Sequence, residues 1–238
     1  MNMNKILFIG AHPDDETSCT GLFIKAHKMK IETHILICSE GKNGQPNINE
    51  TSMIKDKIIE NRKKELEKYA KNIKVTSCHI LNNQNEFLNK DELTLEILKK
   101  IRKIQPDIVI THMGGDYHID HQIIHNIVKN AFEISHRSSF LNFGKKLKGS
   151  ILLGSDGLEL INNPEFYVDI SNFLKEKEKI IRNSYNSRLG KLIDVIFYRS
   201  KMRGARKGIS AAECFNIIRT RSVSYTPKTL NLLSKIIS

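Results

Sequence analysis

The sequence predicts an α/β fold: a mainly parallel sheet with helices on both faces, in a single domain. Three observations carry this. Short, continuous apolar runs alternate with longer amphipathic stretches over the first two thirds of the chain. The first of them, KILFIGA (5–11), is a continuous apolar run, as a strand covered on both faces is. No repeat, low-complexity segment or linker divides the 238 residues, a length that one large domain fills.

The elements follow in order. KILFIGA (5–11) is a buried strand, and residues 16–29 (ETSCTGLFIKAHKM) form a helix. IETHILICSE (31–40) is a second strand, ending in the loop GKNGQPN. Residues 51–72 carry IIENRKKELEKYA, with apolar residues at helical spacing. VTSCHIL (75–81) is a third strand, and DELTLEILKKIRKI (91–104) a helix stopped by Pro106. DIVITHM (107–113) is a fourth strand, followed by a loop rich in glycine and acid and a helix from about Asp120 to Ile134. ILLG (151–154) and FYVDIS (166–171) read as further strands. The last third is less regular: a helix from near Ser171 to Tyr185, a basic loop YRSKMRGARKG, and another helix beginning at Ser210. The α/β core is expected over about 1–155, with the C-terminal strands and helices over 156–238 of the same domain. Strand–helix alternation implies right-handed crossovers. Ligands of such sheets bind outside the carboxyl ends of the strands, which gathers loops 11–16, 40–47 and 112–121 at one rim.

Composition narrows the function classes. The chain has no tryptophan, so its core is mainly aliphatic. Cys19, Cys38, Cys78 and Cys214 show no CxxC spacing and read as buried thiols of a reducing compartment. The N-terminus MNMNKILFIGAHPDDE runs straight from a short apolar stretch into charge, unlike a signal peptide, and no run approaches the roughly 20 apolar residues of a membrane span. A cytoplasmic protein is expected. The net charge of +12 fits a solvated basic surface, an anionic substrate, or peripheral contact with an anionic membrane. Nucleic acid is disfavoured, since no helix-turn-helix, zinc-finger or RNA-binding signature appears. A dinucleotide cofactor is excluded by the missing GxGxxG, because the acidic turn after the first strand would repel a pyrophosphate. The oligomeric state is not legible.

Two clusters carry chemistry. His12, Asp14 and Asp15 follow the first strand, and His118, Asp120 and His121 follow the fourth. Two histidines and one carboxylate are a common divalent-metal set with an open position for water. A divalent cation also offsets the repulsion of the adjacent acids. The acid left over can take a proton from a metal-activated water. A further histidine can donate to an oxyanion or protonate a leaving amine, and an aspartate beside it can orient the ring. His112, at a strand end, and His125, four residues after His121, are alternative ligands.

AHPDDE (11–16) and HIDH (118–121) resemble the two signature motifs of the LmbE/PIG-L family of zinc-dependent de-N-acetylases, with isoleucine where proline is frequent in the second. The resemblance implies a Rossmann-like fold. It implies His12, Asp15 and His121 as Zn2+ ligands, with other divalent transition metals compatible with the same donors. It also implies Asp14 as general base, and His118 as the imidazolium serving the oxyanion and leaving amine, with Asp120 beside it. NRKKEL (61–66) resembles the family helix whose arginine reaches the substrate, which would be Arg62. SEGKNG (39–44) resembles its glycine-rich loop, implying Gly41 and Asn43 at the substrate. Where a family segment places a glutamine after Tyr185-Asn186-Ser187, this chain has Arg188. The implied activity is hydrolytic removal of acetate from an N-acetylated amino sugar, free or carrier-linked. The competing reading is a non-catalytic protein that uses its basic surface on nucleic acid or anionic lipid.

Overall fold

The computed structural model describes residues 4–42, 52–81, 89–218 and 226–237, with the side chains of 52–55 outside the description. The strands are β1 (Lys5–Gly10), β2 (Glu32–Ile37), β3 (Ser77–Ile80), β4 (Ile108–His112), β5 (Ile151–Ser155), β6 (Phe166–Asp169) and β7 (Ala212–Ile217). They form one seven-stranded sheet in the order β3-β2-β1-β4-β5-β7-β6. The first five pair in parallel, and β7 runs antiparallel between β5 and β6. The helices are α1 (Thr20–Lys28), α2 (Ser52–Ile73), α3 (Lys90–Ile104), α4 (Ile119–Ser135), α5 (Leu174–Leu189), α6 (Leu192–Ala205) and α7 (Pro227–Ile237). None of the described helices is long and apolar enough to cross a membrane.

Side chains alternate along β1 and so supply two cores. Ile6 and Phe8 join Phe23 of α1, Tyr69 of α2, Tyr185 of α5, Phe197 of α6 and Leu232 of α7 on one face. Leu7 and Ile9 join Ile97 of α3 and Phe132 of α4 on the other. The strand order reverses between β1 and β4, whose carboxyl ends therefore open a crevice. Both acidic and histidine-rich loops start there.

Two readings of the last third are corrected. The segment from Ser210 is not a helix: Ala212–Ile217 is strand β7, hydrogen-bonded on both sides. Ala-Ala-Glu favours a helix locally, but two ladders and burial of Ala211, Ala212, Cys214 and Phe215 override that weak preference. The basic stretch is not a loop either, since most of it is the C-terminal half of α6. Its charge conceals the helix because Arg203 is buried, bonded to both oxygens of Asp156 at 2.8 and 2.7 Å and to the Ile161 carbonyl. Helix α5 also runs four residues beyond Tyr185, which carries Arg188 into the site. All four cysteines are free; three are buried and Cys78 half-buried.

Candidate active site

The first loop turns on an unusual backbone. Asp14 has φ +121°, a conformation that side-chain-bearing residues rarely adopt and that costs about 1–3 kcal/mol. Three hydrogen bonds from two neighbours hold it. The Asp14 amide donates to Glu16 Oε2 at 3.0 Å, and Thr17 donates to the Asp14 carbonyl from both its amide and its hydroxyl. Glu16 is fully buried, and its Oε1 accepts the Tyr185 hydroxyl at 2.5 Å. Burial outweighs that bond and pushes the Glu16 carboxyl up to about 8. The sharp turn sends consecutive acids different ways. Asp15 Oδ2 accepts the amides of Ala11 and His12 at 2.8 and 2.7 Å, while Oδ1 lies 3.2 Å from His121 Nε2. Asp14 instead meets the guanidinium of Arg188. Burial raises the Asp14 carboxyl against the pull of Arg188. Burial would raise Asp15 too, but His112 and His121 outweigh it and hold it well below the usual range.

The second loop leaves β4 at His112 and enters α4 at His118, the N-cap, whose Nδ1 accepts the Asp120 amide at 3.2 Å. His121, in the first turn, is clamped at its other ring nitrogen: Nδ1 lies 3.0 Å from Asp116 Oδ2. Asp116 is 2% exposed and also accepts the amides of His118 and Leu158, both at 2.9 Å. Burial opposes its charge, but the bonds from His121 and the two amides prevail and hold its carboxyl at about 2.

The structure brings His12, Asp15 and His121 together, with one donor atom of each inside 4.8 Å of the others. All three line the cavity described below. The set fits a divalent transition ion: two imidazoles and a carboxylate converge, and the third donor's far nitrogen is already fixed by a carboxylate, the usual arrangement behind a metal-bound histidine. His112, Asp116 and His121 also cluster. That set is sealed, because Asp116 does not reach the cavity and its oxygens are occupied. His112 stacks on His121 at 3.9 Å, with Nε2 3.1 Å from Asp15 Oδ2. His125 Nδ1 lies 2.8 Å from the His112 carbonyl, a loop-fixing contact. The Asp120 carboxylate lies 3.0 Å from His12 Nε2 and 4.0 Å from His118 Nδ1, so it faces both rings. His118 stacks on His121 at 4.7 Å and lines the cavity.

The cavity measures about 510 Å³ and runs from this cluster between α2, α5 and α6. Arg62 of α2 and Gly41, just past β2, lie on its wall; Asn43 lies outside the described residues. Sequence reasoning did not assign roles to Asp116, or to Arg188 as a partner of Asp14. An acid five residues before His121 was the available signal for the first. For the second, the only signal was a charged residue in place of an amide.

A family model described as PIG-L, GlcNAc-PI de-N-acetylase, matches residues 7–132, more than half of the chain and both motifs. Curated relatives include a 1D-myo-inositol 2-acetamido-2-deoxy-alpha-D-glucopyranoside deacetylase of Frankia casuarinae, 24% identical over 155 residues, which are 54% of this chain and 50% of that protein. A deacetylase of the same description from Rhodococcus jostii is 25% identical over 171 residues, 61% of this chain and 59% of that protein. The chain thus spans about half the length of the curated relatives it matches. Among solved structures, the N,N'-diacetylchitobiose deacetylase of Pyrococcus horikoshii aligns with TM-score 0.78 at 23% identity, over 91% of this chain and 84% of that one. The 4-carboxy-2-hydroxymuconate hydratase of Pseudomonas putida aligns with TM-score 0.80 at 18% identity, over 94% and 100%. At these identities the structural likeness shows the fold.

Proposed function

The chain belongs to the PIG-L family of GlcNAc-PI de-N-acetylases, and from that premise we propose that it is a metal-dependent N-deacetylase acting on an N-acetylated amino sugar. One observation carries the reading: a single turn aims Asp15 at two histidines and Asp14 at the cavity beside them. His12, Asp15 and His121 would hold the ion, with Zn2+ the first candidate. When bound, a divalent ion supplies Lewis acidity and brings the pKa of a coordinated water towards about 7.

The remaining chemistry belongs to the side chains. Asp14 takes the proton of the attacking water; its burial raises the carboxyl towards the range in which a base works best. Arg188 orients that carboxylate. As the water oxygen adds to the amide carbonyl, His118 offers the oxyanion a hydrogen bond. Its Nδ1 accepts the Asp120 amide, so the neutral ring carries its proton on Nε2. Cleavage of the C–N bond then needs a proton on the amine, and Asp14 returns the one it took from the water. Asp116 acts one step back, by fixing the His121 ring. Arg62, with Gly41 beside it, faces the substrate rather than the reacting bond.

The test is release of acetate from N-acetylhexosamines, nucleotide sugars and glycosides by the metal-loaded protein, with His12→Ala and Asp15→Ala for comparison. Both variants should lose bound metal and activity together. A full equivalent of metal in both would refute the ligand set. A second reading has a specific source, the Pseudomonas putida hydratase of the same fold. There the same base would deliver water to a double bond, and no N-acetyl sugar would release acetate.

A further inference from the structure

We propose that Arg62 and Arg188 form an oxyanion subsite beside the reacting centre, so that the preferred substrate carries a phosphate or carboxylate close to its N-acetyl sugar. This rests on the deacetylase reading for the sugar, but not for the anion.

Arg62 is 6% exposed and lies on the cavity wall. Among the described residues, no carboxylate sits within salt-bridge distance of it. Its Nε is buried without an acceptor. A buried Nε–H with no acceptor among the described residues is costly, which points to a ligand oxygen that supplies one. Arg188 approaches the same region from α5. It donates from Nε to Glu65 Oε2 at 2.8 Å, from Nη2 to the Pro13 carbonyl at 3.0 Å, and from Nη1 to Asp14. A guanidinium has five N–H groups, so Arg188 keeps two beyond these three bonds. Both guanidiniums lie within electrostatic range of Asp14 and of each other.

The other cations of the wall are already engaged. Lys177 bonds Glu213 at 2.7 Å, Arg203 bonds Asp156, and Arg199 bonds the carbonyls of Gly157 and Leu158 at 2.6 and 2.8 Å. Gly41 completes the case. Its φ is +68°, and a Cβ there would lie 2.2 Å from Arg62 Nη1. A side chain at 41 would therefore displace the guanidinium. Sugar hydroxyls could accept hydrogen bonds from Arg62 but would give it no direct anionic contact. A phosphate or carboxylate satisfies several N–H groups and the charge at once.

The experiment uses the metal-loaded full chain and deacetylated sugars, which bind without reacting. Calorimetry compares methyl glucosaminide with glucosamine 1-phosphate, glucosamine 6-phosphate and carboxymethyl glucosaminide. At least one charged sugar should bind tenfold or more tightly than the methyl glycoside, and added salt should narrow the gap. The ranking identifies phosphate against carboxylate, and the position of the charge on the ring. Arg62→Gln and Arg188→Gln should each remove roughly tenfold or more of the preference, while Arg188→Lys keeps part of it. The Lys variant holds the charge if the Gln variant fails to fold. Equal affinity for neutral and charged sugars in the unaltered chain would overturn the proposal, as would a preference that survives in both Gln variants. Charge-dependent binding without acetate release from any N-acetyl sugar would refute the deacetylase reading and leave the subsite standing.

Discussion

Replacing Asp116 by Asn tests how much of the proposed metal centre is built by a residue outside the His12, Asp15 and His121 set. The carboxylate of Asp116 serves three donors: His121 Nδ1 at 3.0 Å, and the amides of His118 and Leu158 at 2.9 Å. Asparagine has nearly the same shape, and its one oxygen still accepts from a backbone amide. What it cannot supply is an anionic acceptor for the imidazole. The ring of His121 then becomes a weaker donor to the metal and is free to rotate. Loss of such a partner typically lowers metal affinity by about 10–100-fold, or roughly 1.4–2.8 kcal/mol. Competition against a chromophoric chelator at fixed pH measures this directly. Activity should fall at limiting metal and recover in large part at saturating metal, because Asp14 and His118 are untouched. Asp116→Ala is the harsher variant: it strands three donors, at a cost of about 1–3 kcal/mol for each buried group left unpaired. An unchanged metal dissociation constant in Asp116→Asn would show that His121 needs no such support, and would remove the reasoning that links the acid to the ion.

Three further outcomes are expected. Asp14→Asn should retain a full equivalent of metal by elemental analysis while turnover drops by about a hundredfold or more; near-normal turnover would require another base. In the metal-free chain burial disfavours a charged His121, but Asp15 and the hydrogen bonds to Asp116 and Asp15 outweigh it and raise the ring to about 10. Metal capture must expel that proton, so affinity should climb by about tenfold per pH unit between about pH 6 and 9; a flat profile in the chelator assay would contradict it. Lys177 is 1% exposed, and its removal in Lys177→Met leaves the Glu213 carboxylate with only the Gly21 and Leu22 amides and no counter-charge. Urea unfolding should report a loss of about 3–5 kcal/mol, and a loss under 1 kcal/mol would mean the pair is incidental.

The fold was legible as far as β5 because short strands rich in apolar residues alternate there with long amphipathic helices. Legibility fails where polar residues are buried. Arg203, Ser200 and Lys177 all point inward, so α6 shows no clean stripe and its basic residues read as a loop. Glu213 makes β7 look like a helix, whereas its carboxylate accepts two amides at the start of α1. The convergence of His12, Asp15 and His121 was legible because these residues sit in two short motifs that follow strands. Arg188 was not, since its partners lie in the turn after β1 and on α2, and Asp116, though only five residues before His121, shows its role only where the loop folds back to bring its carboxylate under the His121 ring. Spacing along the chain carries no record of such meetings. Glu16 is an intermediate case: its place in the motif was plain, but its grip on the Asp14 backbone appears only once Tyr185 arrives from α5.

The antiparallel strand β7 has an effect beyond closing the sheet. By reversing direction between β5 and β6, it seats α5 and α6 as a far bank facing the metal side, and that bank is drawn almost wholly from the last third of the chain. The His12, Asp15 and His121 cluster and most of the cavity's far wall thus come from separate stretches of polypeptide. A different 156–217 segment grafted onto an intact 7–132 would have to keep Tyr185 and Arg188, because these two residues brace Glu16 and Asp14 from the far bank.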